Sequence, residues 1–562
     1  MQMKKFAILL VALAVGTAQA WTVTWTGGDM NWTQPDTNSW DATYNSGDTA
    51  QFLTSGAGTV NVDASGVTPG GVIVNASANY TFSGGSIGGT GTVTKSGSGA
   101  LDFGSISNSF SGGVVVNGGS LVNVGANSLG TGTNITFAGT GGIAPKYGGA
   151  AVAQGLTVNS GVTATFSFGS SYFSLSFAGP VRGSGTIIIG GDKTGNPLTF
   201  SNTTNTFTGT IYSYFTTAWY GMGISVNSLA DSANPIRLGA TALTLNSGAA
   251  VPLIFNGRQI DLVGSAGYGA AIINNNGTFA NTITINTPLL ITGAGDKTLT
   301  LDGTNTGTNL FSGAITNGSG SVISLTKAGA GTWYISGTNT YTGGTTISTG
   351  ILEICGAGVL GNGAYAGSIA NSTTFRYNST ATQTLSGVIS GGGVLIKDNI
   401  GSLTLTGINT YSGATTIKGG TLWGALGGSC TNSAVTVTNT PGNTVVLGVS
   451  VTNNTMQWTC ASLAFKTNGA GAQLKFNFEV KSGTTLAPLN VTGNLTFNGA
   501  PLVVVSPSFL SPGTYPLVTV GGTVPSEMPA LSGVDGVLAW GGSGNRTLSL
   551  TVFAKGSVIT VR

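Results

Sequence analysis

Residues 325–354, LTKAGAGTWYISGTNTYTGGTTISTGILEI, return seventy positions later as residues 395–424, LIKDNIGSLTLTGINTYSGATTIKGGTLWG, and the two copies align without a gap. A third copy at residues 93–124, VTKSGSGALDFGSISNSFSGGVVVNGGSLVNV, needs one inserted residue before Asn108. A shorter pattern of Asn, any residue, an aromatic, Ser or Thr, then Gly occurs at residues 108–112, 205–209, 309–313, 339–343 and 409–413. Internal repeats of this length constrain a chain strongly, because one copy is too small to bury its own apolar face and must stack on its neighbours.

Inside a copy the apolar period is two. Leu403 and Leu405 alternate with Thr404 and Thr406, and Trp333 and Ile335 keep the same phase in the earlier copy. Such alternation puts one side of a short strand inward. Further along, Ile347 and Leu352 correspond to Val116 and Leu121 of the first copy, so the buried face is held in phase from copy to copy. Asn and Gly at the corners read as turn formers, since sharp reversals need left-handed backbone that β-branched residues resist. The fold predicted is all-β: a right-handed parallel β-helix with coils of about 20 to 25 residues, or roughly 15 to 20 rungs. Helix is not expected, because Gly and β-branched residues interrupt every window.

Composition agrees with a stack that closes a core. Gly fills 94 of 562 positions and charged residues only 6%, yet 40% of the chain is hydrophobic and the formal net charge is +3, which is not the signature of disorder. Four segments are predicted. Residues 1–20, with Lys4, Lys5, an apolar run and Ala18-Gln19-Ala20, read as a signal peptide. Residues 21–60 form a Trp-rich N-terminal cap, 61–455 the β-helix repeat region, and 456–562 a C-terminal β-rich unit with longer strands and prolines. The apolar run of the leader is too short to span a bilayer, and no later stretch reaches the roughly 20 residues a membrane helix needs. No integral membrane segment is therefore expected after cleavage, and the protein is expected outside the cell or on its outer surface, or in the periplasm.

The charge balance speaks against nucleic acid. Removing Lys4 and Lys5 from the 19 basic side chains leaves 17 against 16 acidic ones, without the clustered cations a phosphate backbone requires. Histidine is absent, which removes the commonest general base and metal ligand. Glu353, Glu479 and Glu527 are the only glutamates. No catalytic residue, metal site or cofactor is called for, and the chain is read as not an enzyme. The Gly-x-Gly-x-x-Gly at residues 356–361 follows a strand but lacks the helix and the acidic residue of a dinucleotide fold. Calcium-loaded repeats would need Gly-x-Asp turns at fixed spacing, and the aspartates are scattered. Asp302, Arg376 and Asp398, the residues a β-helix lyase would call on here, fall in separate rungs. Cys355, Cys430 and Cys460 form an odd set, compatible with buried thiols or with one disulfide.

The repeat texture, K-x-G-x-G-x-x-x-x-x-G-x-N-x-Y-[ST]-G-x-[TV]-x-[IV]-x-x-G-x-[IL], resembles the autotransporter-associated β-strand repeat of exported bacterial passenger domains. Lys327, Gly329, Gly331, Gly337, Asn339, Tyr341, Gly343, Thr345, Ile347, Gly350 and Leu352 carry the match. The copy at 395–424 has Asp398 and Asn399 in place of the early glycine pattern, so a less regular first turn is expected there. The resemblance implies a β-helical passenger displayed outside the cell for adhesion or scaffolding. Passengers of that kind precede an outer-membrane barrel that usually ends on an aromatic residue; this chain ends GSVITVR, and a fused barrel is not expected.

The candidate binding residues are Trp25, Trp32 and Trp40 with Asp29 and Asp36, in a stretch from Trp21 to Thr94 that holds five aspartates and no Lys or Arg. Aromatic faces beside carboxylates can grip sugars; alternatively, the tryptophans plug the open end of the coil. Tyr341 and Tyr411 are expected to stack within their turns. The function expected is a secreted or surface-exposed structural or adhesive repeat protein whose partners are extracellular glycans or cell-surface components. The alternatives are an extracellular carbohydrate-binding protein and, behind it, a β-helix polysaccharide lyase or hydrolase.

Overall fold

In the computed structural model the chain is a parallel β-solenoid, as the repeats predict. It describes residues 20–554 apart from 105, 147, 170–172, 192–197, 216–222, 247, 266–268, 426, 440–442, 451–453, 468–472, 500 and 507–509. The leader expected over residues 1–20 lies, except for Ala20, outside the described residues. Among the described residues the only helical elements are single 3-10 turns. The fold divides into two compact units, residues 1–146 with 152–154, and residues 147–151 with 155–562.

In the first unit the strands Thr49–Leu53, Gly71–Asn75, Val93–Ser96, Val114–Val116 and Asn134–Phe137 pair in parallel, each with the next. A second parallel sheet joins Gly58–Val62, Tyr80–Gly84, Ala100–Asp102, Ser120–Val124 and Gly141–Pro145. From Val72 onward the first of these sheets advances 21 residues per coil, so that Val72, Val93, Val114 and Ile135 stand in register. All four are buried. Like side chains stacked at strand spacing fill the interior without voids, which is how strands of three to five residues remain stable.

The second unit follows the same rule with more strands per coil. Ile323–Lys327, Thr345–Ile347, Ile369–Asn371 and Ile389–Ser390 form one parallel run. Thr332–Ile335, Ile351–Gly356, Thr374–Ser379, Val394–Lys397 and Thr415–Ile417 form another. A third sheet runs through Thr382–Leu385, Ser402–Leu405, Gly420–Ala425 and Thr444–Ser450. Every residue assigned inward from the period of two, Trp333, Ile335, Ile347, Leu352, Leu403 and Leu405, is buried. The step is 20 residues from Leu325 to Thr345 and lengthens to 31 from Trp458 to Leu489. Parallel pairing runs on past residue 455 to the strand Ala530–Ser532, and the mode changes only after it. There Gly536–Gly541 and Thr547–Val552 pair antiparallel, and the latter lies antiparallel to Gly513–Val520.

The polar letters of the repeat also point inward. Asn108, Asn205, Asn309, Asn339 and Asn409 are all buried. In each, the side-chain oxygen accepts a backbone N–H from the preceding coil, for example Ile87 to Asn108 at 2.9 Å and Ile389 to Asn409 at 2.8 Å. The amide of Asn108 donates forward to the Ser128 carbonyl at 2.7 Å, and that of Asn309 to the Thr332 carbonyl at 2.9 Å. None of the five has positive φ. These asparagines therefore serve as bridges between rungs, a role different from the left-handed corner expected of them.

The repeat lysine is buried as well. Lys397 donates to the carbonyls of Asp398, Asn399 and Gly419 at 2.7, 2.9 and 3.0 Å. Lys327 binds those of Ala328, Gly329 and Thr349, and Lys95 those of Ser96, Gly97 and Gly118. Each ammonium closes the turn that follows it. That turn needs a left-handed residue, supplied by Gly97 (φ 69°), Gly329 (φ 65°) and Asn399 (φ 60°). The first turn of the copy at 395–424 thus keeps its geometry, because Asn tolerates this backbone region where most residues do not. Arg258, also buried, satisfies its guanidinium on the carbonyls of Phe207, Gly209, Ala230 and Asn234.

Candidate functional site

The N-terminal aromatic residues gather into one buried cluster. Trp25 and Trp32 are fully buried and Trp40 is 5% exposed. Trp40 stacks on Tyr44 at 4.6 Å and meets Trp25 edge-on at 5.2 Å, while Trp32 packs against Phe52 at 5.3 Å and Phe82 at 5.8 Å. Isolated antiparallel bridges, Trp25 with Trp40 and Asp36 with Tyr44, fold the segment across itself. The carboxylates are part of the same construction. Asp36 accepts the Trp40 indole N–H at 3.1 Å, and Asp29, exposed, accepts the Ser39 hydroxyl at 2.6 Å. The Ser39 hydroxyl and the Asn31 amide hold Asp29 below the usual carboxylate range. The structure brings all five sequence-derived residues together, with the three indole faces turned into the core.

The turn tyrosines are buried too. Tyr341 shares a hydrogen bond with Thr345 at 2.8 Å, and Thr345 another with Tyr365 at 2.8 Å; the two rings meet edge-on at 5.5 Å. Tyr411 repeats the motif with Thr415 at 2.5 Å. Burial raises both phenols far above their ordinary range, which suits groups that stay neutral and hold a corner.

One charged cluster stands on the outer face of the repeats. The register places Glu353 beside Arg376, and the guanidinium lies 3.4 Å from Glu353 and 2.6 Å from Asp398. Asn378 donates to Glu353 at 2.6 Å. Two residues that the sequence left in separate rungs, Arg376 and Asp398, are thus direct partners, whereas Asp302 belongs to a different sheet and lends its backbone carbonyl to the Trp333 indole at 3.0 Å. Burial pulls the Asp398 carboxyl upward, but the Arg376 hydrogen bond and the Asn399 N–H outweigh it and hold the acid low. A general acid needs the opposite shift, so this cluster is arranged to neutralise charge and order a surface.

An open groove of about 520 Å³ begins at this cluster, lined among others by Asn378, Asp398, Asn399, Thr421 and Thr444. The half-buried Trp423 lies two residues along the same strand from Thr421. Sequence reasoning passed over this tryptophan, although the alternation about Leu422 was enough to put it outside. Among the described residues no group of three or more His, Cys, Asp or Glu gathers as for a metal ion. No described helix is long and apolar enough to cross a membrane, which says nothing of β-barrels.

The passenger-associated-transport-repeat family matches residues 93–122, 325–354 and 395–423, the coils whose Lys, Asn and aromatic residues are described above. The adhesin BmaC autotransporter of Brucella suis biovar 1 (strain 1330) is 28% identical over 367 residues, covering 56% of this chain. The match spans only 10% of that adhesin's length. No match to a solved structure is found. With inward Lys, Asn and aromatic residues at equivalent places, the three matched coils are repeats of the kind found in autotransporter passengers.

Proposed function

We propose that the chain is a surface-exposed or secreted adhesive repeat protein whose solenoid is a scaffold for contacts and not a catalyst. The observation that carries this reading is the use of its polar residues. Lysines, asparagines and tyrosines that would serve a reaction are spent inside the coils on turn carbonyls and rung-to-rung bridges. The matched passenger repeats and the likeness to an adhesin support the same direction. Residues 21–60 act as a cap on the first coils, with Trp25, Trp32 and Trp40 as its core.

Two measurements test the reading. Intact cells expressing the full chain are treated with an added protease, and loss of the protein without loss of a cytoplasmic marker is expected. Beads coated with the purified chain are expected to attach to cultured epithelial cells or to bacterial surfaces several-fold more than albumin-coated beads. Full protection from protease together with attachment equal to albumin would overturn the proposal.

A further inference from the structure

Within the strand Gly420–Ala425 Leu422 is buried, so Thr421 and Trp423 face outward. The register sets Thr404 on one side of Trp423 and Gly448 on the other. A Cβ added at Gly448 would lie 2.3 to 2.6 Å from Cε3, Cζ3 and Cδ2 of Trp423. The six-membered ring therefore lies flat over the Gly448 backbone, and only a glycine leaves room for it. One indole face is spent on that floor. The ring as a whole is half-buried on the outer side of the strand, which distinguishes it from Trp25, Trp32, Trp333 and Trp458, all fully buried.

The same construction occurs a second time. Tyr214, 42% exposed, stands in register between Gly190 and Gly239. Its ring carbons come within 3.2 to 3.3 Å of a Cβ built at Gly190, and Tyr212 lies 5.0 Å away. A smaller groove of about 290 Å³, lined in part by Thr165 and Ser167, adjoins it. An aromatic ring on an outer sheet face forgoes part of its hydrophobic stabilisation, and in both places a glycine gives the ring a flat floor.

We propose that Trp423 is the stacking platform of a binding site for a neutral polysaccharide, with the adjoining groove supplying hydrogen bonds to sugar hydroxyls. A pyranose ring with equatorial hydroxyls presents a flat face of C–H groups that matches the indole, while its rim needs partners such as Asn378, Asn399, Thr421 and Thr444. Charge favours a neutral ligand. Glu353 and Asp398 are balanced by Arg376 and by Lys418, whose field reaches Asp398, so the groove offers no net charge to an anionic polymer. This inference rests on the surface-display reading only for its biological setting.

The test is affinity electrophoresis of the native full chain through gels containing dissolved galactomannan, xyloglucan or hydroxyethyl cellulose. Retardation by at least one polymer is expected, little changed by 0.5 M sodium chloride. Trp423→Ala should weaken it at least tenfold and Trp423→Tyr should retain most of it, with the thermal midpoint unchanged in both. Gly448→Val, which displaces the indole, should also weaken binding. No retardation by any polymer, equal retardation of Trp423→Ala, or loss of retardation in salt would overturn the proposal. Because the assay uses purified protein, binding by a protein that is not displayed would overturn only the surface reading, and display without retardation only this one.

Discussion

The Asn339 side-chain oxygen accepts the backbone N–H of Ile315 at 3.0 Å, twenty-four residues upstream, while its amide donates to the Val359 carbonyl at 3.0 Å in the next coil. One buried side chain thus closes backbone groups in two neighbouring rungs. Asn339→Ala leaves the Ile315 N–H unsatisfied inside the core and takes one of its two donors from the Val359 carbonyl, which keeps the backbone N–H of residue 339, and a loss of about 1–3 kcal/mol is expected. Asn409→Ala should behave alike, since Asn409 takes the Ile389 N–H in the same way. The exposed Asn61 is the control, and its replacement by Ala should stay within about 0.5 kcal/mol. Urea unfolding of the three variants measures the difference.

The buried lysines give the protein an unusual alkaline profile. Burial lowers Lys95, Lys327 and Lys397 to about 8, from a usual value of 10.5. Between these values the unfolded chain binds more protons than the folded one, so stability should rise with pH across about 8 to 10.5. Buried tyrosines act in the opposite sense above their usual 10, because Tyr80, raised to about 12, and Tyr341 stay protonated in the fold while the unfolded phenols ionise. The buried thiols of Cys355, Cys430 and Cys460 act in the same sense above their usual 9, so the thermal midpoint should climb from pH 8 to about pH 9, then flatten and fall. Lys327→Met and Lys397→Met together should flatten the climb. A midpoint falling steadily from pH 8 would contradict this account.

These two devices show where sequence reading stops. Trp333, Ile335, Leu403 and Leu405 could be placed inside because alternation is set by strand geometry alone. A polar residue at a corner carries no such signal, since Asn forms turns as readily as it bridges rungs. Only the register shows that Asn108 stands between Ile87 and Ser128. The repeat lysines carry no inward signal for the same reason, while Asn399 reads as an irregularity although it takes the backbone region of Gly329. Trp423 is the converse case: its outward phase was legible, but the glycine beneath it is 25 residues away in sequence and becomes its neighbour only through the coil.

Cys430 and Cys460 are register partners on adjacent parallel strands, both fully buried and both reduced. Adjacent strands set α-carbons about 4.8 Å apart, inside the range a disulfide spans. Burial raises both thiols, Cys460 to about 12, so the folded protein should react negligibly with Ellman's reagent at pH 8. Cys355, pushed up to about 11 by burial and by Glu353, should be nearly as slow. Refolding in a glutathione redox buffer is expected to join Cys430 to Cys460 and leave Cys355 free. Peptide mapping after alkylation checks this, and a bond to Cys355 would contradict the register.

The N-terminal cluster separates a plug from a sugar site by its response to truncation. Trp32 touches Trp40, Tyr44, Phe52 and Phe82 within 5.8 Å, so Trp32→Ala removes the centre of the cluster and should cost about 3–5 kcal/mol. It should also uncover strand edges of the first coils, and aggregation detected by light scattering is expected near the new midpoint. Asp36→Ala, which strips the acceptor from the Trp40 indole, should cost about 1–3 kcal/mol, whereas replacement of the exposed Asp29 should change little. A Trp32→Ala protein that kept its midpoint and stayed monomeric, yet lost retention on a glycan support, would show the cluster opening to a ligand. An aggregating variant whose glycan retention, per folded molecule, equals that of the parent chain identifies a cap.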